Sequence, residues 1–156
     1  MSDTPGKGVS KFIADIRKGL NGKVKDAISE VAAKTGAQLI QRRTREGKGV
    51  ATDGNATYTL KKLSARYIDF RKRQTLSPHT TATKSNLTFT GEMLGSLTAK
   101  RDSPGRWLII LKGSRNRKLA KYVAKARPFM HLSGGEIATI KSVARKKFDE
   151  LVKTKL

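Results

Sequence analysis

Apolar residues recur at helical intervals over three parts of the chain. Val9, Phe12, Ile13, Ile16 and Leu20 space a short amphipathic helix, which Asn21-Gly22 ends by tolerating the left-handed conformation. A longer helix is predicted over 23–43, with Val24, Ile28, Val31, Ala32, Thr35, Leu39 and Ile40 as its buried stripe. Arg42, Arg43 and Arg45 lie at or beyond its C-terminal end, where cations suit the helix dipole. The clearest helix comes last. Ser133-Gly134-Gly135-Glu136 is a capping-box pattern, and Ile137, Ile140, Ala144, Phe148 and Leu151 follow on one face.

Between these helices the period changes. Residues 44–57 read as a loop, with Asp53-Gly54 as a turn. The end of 58–73 reads as a short helix capped by Ser64. Residues 74–86, rich in Thr and Ser and without periodicity, are expected to be a mobile loop. In 85–97, SNLTFTGEMLGSL, Leu87 and Phe89 are placed to alternate inward, and Thr90 to cap a turn carrying Met93, Leu94 and Leu97. A hairpin follows: 96–102, a Pro104-Gly105 turn, and a strand from Arg106 to Lys112. The expected fold is α+β, a small antiparallel sheet packed against N-terminal helices and a C-terminal helix, with long loops. With 156 residues it is expected to form one domain, residues 1–22 being a helical arm.

Charge changes the picture of what this fold would face. Lys and Arg number 34 against 12 Asp and Glu, a formal net charge of +22. Residues 1–57 hold 11 basic and 6 acidic residues, and residues 58–156 hold 23 and 6. A field of that size favours polyanions. Two clusters carry it: Lys61, Lys62, Arg66, Arg71, Lys72 and Arg73 among Tyr58, Tyr67 and Phe70, and Arg115, Arg117, Lys118, Lys121, Lys125 and Arg127 with Tyr122. Arg115, Arg117, Lys118, Lys121, Arg71, Lys72 and Arg73 are the candidates for a DNA-channel or polyanion-facing surface. Lys and Arg bind phosphates without reading bases, so contact independent of sequence is expected.

Catalytic chemistry finds little to stand on. Cysteine is absent, which removes disulfides and thiolate metal sites. The carboxylates are scattered, His79 and His131 are the only histidines, and no serine sits in a nucleophile-elbow pattern. Gly47-Lys48-Gly49 lacks the rest of a phosphate-loop pattern. No enzyme activity, cofactor or metal is expected. The N-terminus has no signal-peptide pattern and the longest apolar run, Trp107 to Leu111, cannot cross a bilayer, so a soluble protein without membrane contact is expected.

Three ordered segments carry a resemblance. They are Arg43-Thr44-Arg45-Glu46-Gly47-Lys48-Gly49 with Asp53-Gly54, Leu63-Ser64-Ala65-Arg66-Tyr67 and Arg71-Lys72-Arg73; Leu87-Thr88-Phe89-Thr90-Gly91-Glu92-Met93-Leu94 before a hairpin; and Ala126-Arg127-Pro128-Phe129 leading into Leu132-Ser133-Gly134-Gly135-Glu136. Over roughly residues 40–150 the chain resembles tailed-bacteriophage virion-morphogenesis and tail-completion proteins. Leu87, Phe89, Thr90, Gly91, Leu94, Arg127, Pro128 and Phe129 are its motif and core positions. The resemblance implies a structural virion protein, assembled in the host cytoplasm, forming a homo-oligomeric ring (a hexamer) at the head–tail junction. Such a tail terminator or neck connector meets portal or neck proteins and tail-tube or sheath proteins, and double-stranded DNA passes through it. The basic stretch before Ala126 departs from the pattern, lacking an acidic or aromatic segment that some relatives carry. The alternative reading is a free, sequence-independent nucleic-acid-binding protein of ribosomal or architectural type. A nuclease that depends on His131 is the remaining one.

Overall fold

The computed structural model describes residues 22–51, 56–76, 78, 80–88 and 90–153. The helix expected over 9–20, the Asp53-Gly54 turn, His79 and Phe89 lie outside them. The described chain forms helix α1 (Gly22–Arg45), strands β1 (Lys48–Val50) and β2 (Thr57–Thr59), helices α2 (Ala65–Lys72) and α3 (Glu92–Gly95), strands β3 (Leu97–Ser103) and β4 (Arg106–Leu111), and helices α4 (Ser114–Ala124) and α5 (Gly134–Lys153). It is an α+β fold with two separate two-stranded antiparallel sheets, β1–β2 and β3–β4. The chain divides into two compact units, one of residues 1–38, 98–110 and 132–156, the other of 39–97 and 111–131.

In the first unit, Val24 and Ile28 of α1 pack with Ala144 of α5, and Phe148 and Leu151 close the cluster. These are positions that helical spacing assigns to one face of each helix. The capping box of α5 is formed: the Ser133 N–H donates to Glu136 Oε2 (2.8 Å) and the Glu136 N–H to Ser133 Oγ (3.3 Å). The hairpin turns at Pro104-Gly105, with Gly105 at φ 73°. A type II turn requires positive φ at its third residue, which glycine supplies, and favours proline just before it. Asp26 fixes that turn. Its Oδ1 accepts from the Gly105 N–H (3.0 Å), Arg101 Nε (2.9 Å) and Trp107 Nε1 (3.2 Å). One helical turn on, Ser29 Oγ donates to the Gly105 carbonyl (2.9 Å). The Gly105 amide above all, then Arg101 and Trp107, hold the Asp26 carboxyl below its ordinary pKa against the opposing effect of burial.

The second unit is built around Ile40, Val50, Leu60, Leu94 and Phe129, each at most 2% exposed. Here the sequence expectation of a loop over 44–57 is corrected. Gly47, at φ 81°, turns the chain out of α1 into β1, which pairs with β2 in the register Lys48–Thr59, Gly49–Tyr58 and Val50–Thr57. Three-residue strands are too short to show alternation. Gly49 is required by closeness: a Cβ there would stand 2.5 Å from the Pro128 carbonyl oxygen and 2.7 Å from the Tyr58 hydroxyl. Residues 114–124, which carry no clear apolar period, form α4. Ser64 caps α2 as predicted, accepting from the Tyr67 N–H (3.3 Å).

The segment read as a mobile loop is tied down where it is described. Arg71 Nη1 donates to the Lys84 carbonyl (3.0 Å) and Nη2 to Thr80 Oγ1 (2.9 Å). Thr80 and Thr88 hydroxyls both donate to Asn86 Oδ1 (2.7 and 2.6 Å), and Asn86 Nδ2 donates to the Arg45 carbonyl (3.1 Å). Asn86 and Thr88 are buried. This hub bends the chain, so Leu87 takes a left-handed φ of 55° where an extended, inward-alternating residue was expected. Met93, Leu94 and Leu97 are buried as predicted.

Candidate functional site

Helix α4 sets the geometry of the basic surface. Ala120 is its buried position, with Asn116, Val123 and Ala124 half-buried around it. At 100° per residue Lys118, Tyr122 and Arg115 lie on the side away from Ala120, with Lys121 and Arg117 on one flank. All five are exposed, Tyr122 at 76%. No acidic residue lies between Glu92 and the helix except Asp102, and none occurs from 103 to 135. The helix therefore presents four cations and one aromatic ring with no internal neutralisation. Arg117 Nη1 is loosely held by the Leu111 carbonyl (3.3 Å), at the end of β4. That contact orients one guanidinium along the face and leaves its charge uncompensated.

The other cluster separates on folding. Lys72 and Arg73 are exposed, Lys72 in an ion pair with Asp69 (3.2 Å) and Arg73 donating through Nε to the Asp69 carbonyl (3.3 Å). Arg71 corrects the reading from sequence. It is only 2% exposed, and its guanidinium is spent on Lys84 and Thr80. Burial pulls its pKa below the usual arginine value, opposed by Tyr67, whose ring lies 5.9 Å from Arg71 Cζ. An inward arginine presents no charge to a polyanion. Tyr67 and Phe70 stack on each other, centroids 6.0 Å apart, and both remain partly exposed.

The motif positions are brought together within the second unit. Arg43, 6% exposed, donates through Nη2 to the carbonyls of Phe129 (2.5 Å) and His131 (2.9 Å). Tyr58 donates its hydroxyl to the Pro128 carbonyl (2.7 Å), and burial raises its pKa. Arg127 Nε reaches the Lys61 carbonyl (3.3 Å). Gln41 Nε2 donates to the carbonyls of Leu94 (2.8 Å) and Leu97 (3.0 Å), satisfying acceptors at the end of α3. Gly91, at φ 81°, opens α3, and Thr90 Oγ1 accepts weakly from the Glu92 N–H (3.4 Å). Leu94 and Phe129 are fully buried, and Arg127 and Pro128 half-buried. Sequence reasoning placed Arg43 only at the helix end and in the first motif segment, and Tyr58 only among the aromatics of a basic cluster, and assigned no role to Gln41 or Asn86. The signal for Arg43 was its place on the apolar face of α1, two turns beyond Gly36.

His131 is exposed. Among the described residues no group of three His, Cys, Asp or Glu could hold a metal ion. None of the helices described is long and apolar enough to cross a membrane. No protein-family model matches the chain, and no curated protein or solved structure is found to match it.

Proposed function

We propose that the protein is a ring-forming structural component of a tailed-phage virion, seated at the head–tail junction around the DNA channel. The observation that carries this reading is the convergence of its motif segments. Arg43 from the first segment holds the carbonyls of Phe129 and His131 in and beside the third. Asn86, next to the second, holds the carbonyl of Arg45. Residues remote in sequence thus form one scaffold, which supports reading the segments as a unit. On that scaffold the outer face of α4, through Arg115, Arg117, Lys118 and Lys121, is turned to DNA. A face of exposed cations suits a duplex of any sequence passing through, because phosphate contacts do not read bases. A ring lets each copy repeat one heterologous interface.

Electron microscopy of the purified protein at assembly concentrations tests this: closed rings are expected. Virions lacking the protein are expected to accumulate separate heads and tails. Monomers at every concentration, with normal head–tail joining in its absence, overturn the reading.

The acid-free α4 face also favours a second reading, a free nucleic-acid-binding protein. The two separate on affinity for naked random-sequence duplex. A free binder binds tightly, with a steep inverse dependence on salt, roughly 0.9 per phosphate neutralised on a log–log plot. A channel protein binds weakly at physiological salt.

A further inference from the structure

One flank of α4 borders a recess of about 380 Å³, whose lining shares only Arg115 with the proposed DNA-facing cations. One wall is Leu63, Tyr67 and Arg71, spaced four residues apart along α2 and its approach. The other is Arg115, Leu119, Val123 and Arg127, again spaced by four, along α4 and the turn after it. Leu87 and Met93 line the recess between them. Two rows at i, i+4 intervals thus face the recess, each from one side of its helix. Its size is within the range of sites that take side chains or small ligands. Leu119, on the α4 wall, is 46% exposed, more than a residue used only for packing needs.

The charge around the trough says what would fill it. Three guanidinium groups border it, against the single carboxylate of Glu92. Arg71 is engaged internally, and Arg127 holds the Lys61 carbonyl through Nε alone. Arg115 makes no hydrogen bond or ion pair among the described residues. It stands at one end of the α4 row and Arg127 at the other. A second copy of this chain, with a net charge of +22, is a poor electrostatic match.

We propose that this trough is a docking site for an acidic amphipathic helix of a partner protein. Apolar side chains four residues apart enter between Tyr67, Leu87 and Leu119, and carboxylates at the ends of the helix pair with Arg115 and Arg127. This is recognition of a helix in a groove, with charge setting orientation and apolar burial setting affinity. It does not depend on ring formation.

The probe is a fluorescein-labelled twelve-residue peptide containing six glutamates with Phe and Leu four positions apart, followed by anisotropy against the full-length protein at physiological salt. Saturable binding is expected. Leu119→Ser and Arg115→Gln, both at exposed positions, are each expected to weaken it about tenfold, the cost of one lost anchor. Arg117→Gln, which does not line the recess, is expected to leave it within about twofold, as a rim or remote charge does. A peptide with Ser in place of Phe and Leu is expected to lose binding by at least the same tenfold. Several results overturn the proposal: no binding by the wild-type protein, equal binding by the Ser peptide, or equal losses from Arg115→Gln and Arg117→Gln. Oligomers of the wild-type protein that Leu119→Ser disperses in sedimentation also overturn it, because a second copy then occupies the trough. Circular dichroism of each variant separates lost contacts from lost fold.

Discussion

The two compact units are organised by charges of opposite sign. Around the β3–β4 hairpin a carboxylate collects donors: Asp26 takes the Gly105 amide, the Arg101 guanidinium and the Trp107 indole. In the other unit guanidinium groups collect acceptors: Arg43 takes two carbonyls, and Arg71 a carbonyl and a hydroxyl. Asp26 lies at a partly open surface opposite a cation, so its pairing is screened and local. Arg43 and Arg71 are buried and serve irregular backbone that has no ladder of its own. A chain so rich in arginine thus consumes part of its positive charge as internal framework. Net charge overstates what the surface can offer a polyanion.

Substitutions can break this contrast. Arg43→Met is expected to have the largest effect, about 3 kcal/mol in chemical denaturation, because it leaves buried carbonyls without donors. Arg43→Lys retains the charge but not the forked geometry, and is expected to recover only a minor part of that loss. A Met variant as stable as wild type would remove the framework role. Gly49→Ala comes next, destabilising by roughly 1–3 kcal/mol, since the new methyl meets backbone and a hydrogen-bonded ring.

Asp26→Asn sharpens the comparison through pH. Because the folded pKa lies below the ordinary 3.8, the unfolded chain binds this proton more readily. The stabilisation is present above the unfolded pKa and is lost as pH falls through the folded one. Urea midpoints of wild type and Asp26→Asn are expected to differ at pH 6 and to converge toward pH 3; a constant gap would show that ionisation is not what matters. Gly36→Ala is expected to do least. Its methyl meets the flexible end of Ile109 at 2.7 Å, and a helix-propensity gain of about 1 kcal/mol offsets the crowding. A stability change within about 0.5 kcal/mol of zero, against the large loss at Gly49, separates a yielding neighbour from a fixed one.

What was legible in the sequence was what short range determines. Val24, Ile28, Leu39 and Ile40 of the α1 stripe, the α5 stripe, the Ser64 cap, the Ser133–Glu136 box and the Pro104-Gly105 hairpin each rest on residues within a few positions of one another; in the middle of α1 it is Ala33 and Ala37 that are buried, where Val31, Ala32 and Thr35 were expected. The inward turn of Arg71 was not legible, because its acceptors come from a loop with no pattern of its own. Arg43 depends on carbonyls 86 and 88 residues away. β1 and β2 are too short for a period, and α4 carries its apolar positions too sparsely to announce a helix. Leu87 reads as an extended apolar residue until the Asn86 hub is seen. The candidate basic face was legible as a cluster, while its division into inward and outward cations required the fold.

The acid-free run along α4 has a consequence for protease chemistry. Trypsin cuts after lysine and arginine but not before proline, so Arg127 is spared and Arg115, Arg117, Lys118, Lys121 and Lys125 are all open to cleavage. An intact helix must unwind locally before Arg115, Arg117, Lys118 or Lys121 can enter a protease cleft, while Lys125 lies just past its end. The rate of nicking in this short run is therefore a built-in clock for the opening of α4. DNA laid on its outer side, or a helix seated in the trough behind it, would slow that clock without any label being added.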